Sequence, residues 1–208
     1  FTNQREDDYG GNVENRMRFP LEVVSAVRAI WPADKPISVR ISATDWVEGG
    51  LSEAEMLKVA AMLKQAHVDI INVSTGQVIK EEEPIYGRMF QVPFADQIRN
   101  EAGIPTTVAG NFTTADQVNT VIAAGRCDMV AMGRSIMNEP HFVLSAAAHY
   151  SHNAQTWAPQ YQSGKFAAEA QAETEREEIK QLRIAARPPN PSDALVIAMA
   201  RGEMLLEE

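Results

Sequence analysis

Four short apolar stretches, each followed by a helical pattern, constrain this chain more than any other feature. They are 36–42, 68–74, 104–109 and 128–132. None shows clean polar–apolar alternation, which suits parallel strands covered on both faces. The segments after them read as helices. Ser52 with Glu55 forms a capping box for a helix running to about Gln65. A helix over 94–101 closes at Gly103, and Thr114 caps one that runs to Ala124 and closes at Gly125. A last helix of this series is expected over 140–150. Another, over 16–30, precedes the first strand. Leu21, Val24, Val27 and Ile30 recur along it at three-residue steps, and Trp31-Pro32 ends it. Such alternation builds right-handed parallel crossovers. Two architectures satisfy it, a doubly wound sheet and a (βα)8 barrel. Four units make half a barrel, so the other half is expected to precede Phe1.

Several function classes are disfavoured early. A net charge of −9 over 208 residues argues against a general nucleic-acid binder. No apolar run approaches the ~18 residues of a bilayer span, so no membrane partner is expected. Cys127 is the only cysteine. It makes no disulfide framework or cysteine metal site, and as the entry to an apolar strand it reads as core filler. A reducing, cytoplasmic setting follows as the default. His67, His141, His149 and His152 share no ligand spacing, so no metal site is expected.

In parallel α/β folds ligands gather at the carboxyl ends of the strands. Those positions here are Arg40, Ser74-Thr75-Gly76, Gly110-Asn111 and Gly133-Arg134. Glycines there let backbone N–H groups approach a ligand closely, and helix starts just beyond add oriented dipoles that favour a phosphate. Arg134 adds a charge-assisted contact. Arg40 interrupts an apolar strand and reads either as a buried structural ion pair or as a cation facing a ligand. The long loop 75–91 carries Glu81-Glu82-Glu83, read as a solvated charge run, and Tyr86, Phe90 and Gln91, candidates to line a substrate pocket.

The opening segment is the most specific motif. Asn3-x-Arg5-x-Asp7-x-Tyr9-Gly10-Gly11-x-x-Glu14-Asn15-Arg16 is polar, glycine-bearing and densely charged. Asn12 is a candidate helix cap, and Asp7 with Arg16 is the expected ion pair pinning the loop. This motif closely resembles the segment after the fourth strand of old yellow enzyme-type flavin oxidoreductases. Arg40 in Val-Arg-Ile-Ser-Ala, Val108-Ala-Gly-Asn111 and Met132-Gly-Arg134 follow in that family's order, and the resemblance covers about residues 1–165. It implies the strand 5–8 half of an FMN-binding (βα)8 barrel over 1–150; beyond it, composition alone reads as an ordered loop over 151–165 and an acidic helical tail over 166–208. It also implies FMN as cofactor and NADH or NADPH as reductant, with hydride passed from the flavin to an activated alkene. Arg40 would face the flavin pyrimidine edge. Gly110, Asn111, Gly133 and Arg134 would hold the phosphate; Ser74 and Gly76, at the end of the second strand, are also expected to be cofactor-binding.

The sequence departs from the family in informative ways. The substrate-gripping pair and the proton donor would lie upstream of Phe1, so no catalytic residue is named. No cysteine cluster follows the barrel, which disfavours the iron–sulfur branch. One branch inserts an arginine into a neighbouring subunit at the position of Ser163, within Gln160-Tyr-Gln-Ser-Gly164. The stretch 158–165 and the tail are also similar to aryl-CoA monooxygenase/reductase flavoproteins, which makes the reductase part of such an enzyme the alternative. A non-catalytic half-barrel is a third. Open strand edges invite association, so the missing half-barrel and a homo-oligomer are expected partners, beside a small-molecule substrate. In the tail, 166–186 reads as helix, 187–191 as a break and 192–206 as a second short helix; the whole is either a solvated appendage or an arm for a neighbour.

Overall fold

The computed structural model describes residues 1–185. The break at 187–191 and the helix at 192–206 lie outside the described residues. The chain forms two compact units, one from Phe1 to Phe142 and one beginning at Val143.

In the first unit α1 (Val13–Ile30) leads into β1 (Ser38–Ser42), α2 (Glu53–Gln65) and β2 (Ile70–Ser74). Then come α3 (Val92–Gln97) with a π turn at Ile98–Ala102, β3 (Thr106–Val108), α4 (Ala115–Ala123), β4 (Met129–Val130) and α5 (Arg134–Asn138). The strands form one parallel sheet in the order β1-β2-β3-β4. Sequential parallel order is that of a barrel half, whereas a doubly wound sheet reverses its order at a switch point.

Local chemistry sets the helix ends. Asn12 accepts the Asn15 amide at 2.9 Å, so α1 starts at Val13, three residues before the expected start. Ser52 and Glu55 close the capping box reciprocally at 3.3 and 3.0 Å. Thr114 accepts the Gln117 amide at 3.3 Å. Pro93 lies in the first turn of α3, where its missing N–H has no ladder to break, so the helix begins two residues earlier than expected.

The apolar face of α1 differs from the three-residue expectation. Three-residue steps drift about 60° each at 100° per residue, so the three steps from Leu21 to Ile30 turn about 180° and leave one face. Val13 and Val24 are buried, and Met17 and Leu21 pack on the core, whereas Ile30 is 86% exposed.

Register explains the sheet. Val39, Ile71, Thr106 and its neighbour Val108 lie on the helix-covered face, with Val73 opposite both Ile41 and Val108. Ile71, Val73, Met56, Leu63, Ile98 and Val108 are fully buried there. The other face carries Arg40, Asn72, Thr107 and Met129 in one row, and Met129 is 51% exposed. Among the described residues, helices cover one face of the strands. Arg40 is exposed on this second face and, among the described residues, makes no ion pair.

Carboxylates staple the amino ends of the strands. Asp69 accepts the Ile37 amide at 2.7 Å and the Arg28 guanidinium at 2.6 Å, which holds its carboxyl below the usual range. Asp128 accepts the Thr106 amide at 2.9 Å and faces Arg99 Nε at 3.1 Å. Stability contacts concentrate at this end and leave the carboxyl ends for a ligand.

In the second unit α6 (Phe142–His149) is followed by a 3-10 turn at Pro159–Tyr161 and by α7 (Gln162–Ala185). Arg176 of α7 donates to the carbonyls of Ala148 and His149 at 3.3 and 3.0 Å, satisfying the end of α6. The start of α7 lies inside 151–165, the segment expected to be loop. Among the described residues no helix is long and apolar enough to cross a membrane.

Candidate functional site

A cavity of about 700 Å³ opens at the carboxyl ends of the strands. Arg40, Phe90, Gly110, Asn111, Gly133 and Arg134, all expected site residues, line it. No lining residue is an aspartate or glutamate, although the chain carries net charge −9. Its volume falls within the ~300–1,000 Å³ range of small-molecule sites.

The two expected cations are held in place by neutral partners. Arg40 donates to Ser74 Oγ at 2.8 Å and Asn72 Oδ1 at 3.4 Å, across the β1–β2 register. Arg134 donates to Asn111 Oδ1 at 3.0 Å, and the same amide donates to the Gly87 carbonyl at 3.2 Å. Neutral partners orient a guanidinium and leave its charge for a ligand.

Two glycines shape the wall. Gly110 has φ +110, and a β-carbon there would come within 3.1 Å of the Gln91 amide nitrogen and 3.2 Å of the Phe90 ring. Asn111 follows at φ +57, a conformation asparagine tolerates better than most residues. At Gly133 a β-carbon would meet nothing within 4 Å. The expected helix dipoles contribute less than the sequence suggested. α4 starts five residues beyond Gly110, and α5 begins beside Gly133 but is only five residues long.

The other three expected residues stand outside the cavity lining. Ser74 accepts the Arg40 guanidinium through its hydroxyl. Gly76 is packed into its own loop, where a β-carbon would meet Glu82 and Trp46 at 2.9 Å. Tyr86 is 63% exposed and stacks edge-on against Phe90 at 5.2 Å. Glu82 is partly buried and accepts the Gln77 and Val78 amides, so this part of the charge run is a loop clamp rather than a solvated face. Gln91 was legible only as a pocket candidate; it is 6% exposed, donates to Thr75 Oγ1 at 3.2 Å and leaves Oε1 buried without a partner. Arg88 also lines the cavity, and only its position four residues before the apolar start of α3 hints at it.

The opening segment forms a self-contained latch. Asp7 pairs with Arg5, not with Arg16 as expected; Arg16 reaches instead across to Glu55 at the start of α2. An i,i+2 pair closes within the loop, while the helical position of Arg16 points it at the neighbouring helix. Tyr9 lies between Arg5 and Arg18, 5.1 and 5.9 Å from its ring centre, and donates to Glu22 at 3.1 Å. Hydrogen bonds from the Arg5 side chain and then the Tyr9 amide lower the Asp7 carboxyl from 3.8 to about 2. The latch therefore contributes fully above the unfolded value near ~3.9 and weakens as pH falls through about 2. A carboxyl NMR titration should find Asp7 at about 2; Arg5→Met should raise it toward 3.8. Burial pushes the Cys127 thiol up to about 11, consistent with an inert core residue.

The family described as NADH:flavin oxidoreductase / NADH oxidase matches residues 1–153. The chain belongs to that family. It is 40% identical over 146 residues to an NADPH dehydrogenase of Listeria welshimeri, covering 70% of this chain and 42% of that protein. It is 41% identical over 146 residues to an NADPH dehydrogenase of Geobacillus thermodenitrificans, with the same coverage, 70% and 42%. It thus spans about two fifths of the length of these curated relatives. Among solved structures it resembles 2-naphthoyl-CoA reductase in complex with 2-naphthoyl-CoA (TM-score 0.61, 27% identity, 67% of this chain and 22% of that one). It also resembles histamine dehydrogenase from Rhizobium sp. 4-9 (TM-score 0.59, 27% identity, 68% and 21%).

Proposed function

We propose that this chain contributes the phosphate-holding half of an FMN-dependent NAD(P)H oxidoreductase of ene-reductase type. The carrying observation is the strand-end cavity, with Arg40 and Arg134 on its wall and no carboxylate. Its residues fit FMN. Gln91 Oε1 is a buried acceptor lacking a donor, which a ribityl hydroxyl of FMN would supply. Gly133 leaves open the space that any side chain there would enter. Arg134, with the amides around Gly110 and Gly133, would hold the phosphate. Arg40 would sit at the ring, where a fixed cation favours negative charge without reorganisation. When bound, FMN supplies the hydride relay from NADH or NADPH to the β-carbon of an activated alkene. Ser74 and Asn72 keep the Arg40 guanidinium aimed on the open face throughout.

A second half-barrel is the natural partner of the open face, and homo-oligomerisation and a cytoplasmic setting belong to the same reading. The likeness to a reductase solved with 2-naphthoyl-CoA supports a second reading, in which an aryl-CoA thioester replaces a simple enone as oxidant. Rates of NAD(P)H oxidation with each class separate the two.

Fluorescence titration of the full-length apoprotein tests the cofactor assignment. FMN should bind more tightly than riboflavin, and Arg134→Ala should weaken FMN about 10- to 100-fold, the range for a charge-assisted hydrogen bond. Unchanged FMN affinity in Arg134→Ala defeats the assignment.

A further inference from the structure

We infer that Arg88 is the second guanidinium of the phosphate cradle and binds the FMN phosphate together with Arg134, an inference that rests on the flavin reading of this cavity. Arg88 lies in the loop between β2 and α3 and lines the cavity with Arg40 and Arg134. Arg40 and Arg134 each donate to a neutral side chain. Among the described residues, the Arg88 guanidinium has no hydrogen-bond or ion-pair partner. It is a cation on a cavity wall that has no anion to answer it.

Two anchors place Arg88 at the phosphate end rather than the ring end. On one side, the Asn111 amide donates to the carbonyl of Gly87 while accepting from Arg134, so a single side chain ties Arg134 and the backbone just before Arg88 to the tip of β3. On the other, the ring of Phe90 packs against Gly110 so closely that a β-carbon there would meet it at 3.2 Å. Arg88 sits between these anchors. Arg40 stands on β1, two strands and about 10 Å away from β3.

Charge supports the same assignment. A phosphate monoester carries about −1.5 to −2 at pH 7. One guanidinium leaves about half to one negative charge unanswered at the mouth of the cavity; Arg88 supplies the second positive charge. Gly87 leaves this side of the loop uncrowded, since a β-carbon there would meet nothing within 4 Å.

The experiment compares FMN and riboflavin, which differ only in the phosphate, in wild-type, R88A and R88K full-length apoprotein. R88A should bind FMN about 10- to 100-fold more weakly and riboflavin as the wild type does; R88K, keeping the charge, should recover part of the loss. Unchanged FMN affinity in R88A overturns the inference. So does an equal loss for riboflavin, which would mean a disturbed loop rather than a lost phosphate contact. A raised KM for NADPH or an acyl-CoA with FMN affinity intact also overturns it and assigns Arg88 to the second substrate. Equal affinity of the wild type for FMN and riboflavin defeats the phosphate reading itself, whereas a wild-type preference that R88A retains defeats only the role of Arg88.

Discussion

Gly110→Val is expected to cost roughly 2–6 kcal/mol of folding stability and to abolish FMN binding. Two separate penalties add. The backbone at Gly110 has φ +110, where a β-branched residue is strained by about 1–3 kcal/mol. A β-carbon would also lie 3.1 Å from the Gln91 amide nitrogen and 3.2 Å from Phe90, an overpacking that costs a further ~1–3 kcal/mol. The amide nitrogen cannot rotate away, and Phe90 is held by Tyr86. Against a total stability of about 5–15 kcal/mol this is a severe change. The flavin effect follows because the same displacement moves Gln91, Phe90 and Asn111, all on the cavity wall. Urea unfolding should show a lower midpoint with an unchanged slope, and Gly110→Ala should lie between the two. A Gly110→Val protein with wild-type midpoint and FMN affinity would contradict the account.

Gly10→Ala should unfasten the opening latch. A β-carbon there would stand 1.8 Å from the Arg5 carbonyl oxygen and 2.4 Å from its carbon. These are backbone atoms, so no rotamer relieves the clash and the turn has to open. Opening breaks the Gly10 amide bond to the Asp7 carbonyl at 3.0 Å and the Tyr9 amide bond to the Asp7 carboxylate at 3.1 Å. The cost is about 1–3 kcal/mol, confined to the latch and its seat on α1. Two local readouts check it. Amide exchange at Tyr9 and Gly10 should accelerate, and the Asp7 carboxyl should climb from about 2 toward 3.8 as its donors leave. Gly11→Ala is the control. It has φ +82 but nothing within 4 Å of the added carbon, so it bears only the ~1–2 kcal/mol of left-handed backbone strain. If Asp7 still titrates at about 2 in Gly10→Ala, the latch does not depend on this glycine.

The contrast between these two glycines shows what was legible. The tandem Tyr9-Gly10-Gly11 signalled a special backbone without revealing which glycine is crowded. That depends on Arg5 folding back over the turn. Gly110-Asn111 and Gly133-Arg134 were legible as ligand-facing because their place at strand ends follows from the order of elements alone. Arg88 was not, because a lone arginine in a long loop has no local signature; only the Asn111–Gly87 hydrogen bond brings it to the cavity. Ser74 and Gly76 fell in the right region, but side-chain direction at a strand end is set by pairing, which turned Ser74 toward Arg40 and packed Gly76 against Trp46 and Glu82.

The sequence by itself determined the succession of strands and helices, their caps at Asn12, Ser52 and Thr114, and the family. These rest on near-neighbour chemistry, in which a cap and the amide it accepts are three residues apart. Only the tertiary structure decided that Arg40, Asn72, Thr107 and Met129 form one row across the sheet, that Arg16 pairs with Glu55, and that Arg40, Arg88 and Arg134 share one cavity wall. Those facts depend on strand register and helix docking between residues tens of positions apart, which no local pattern encodes.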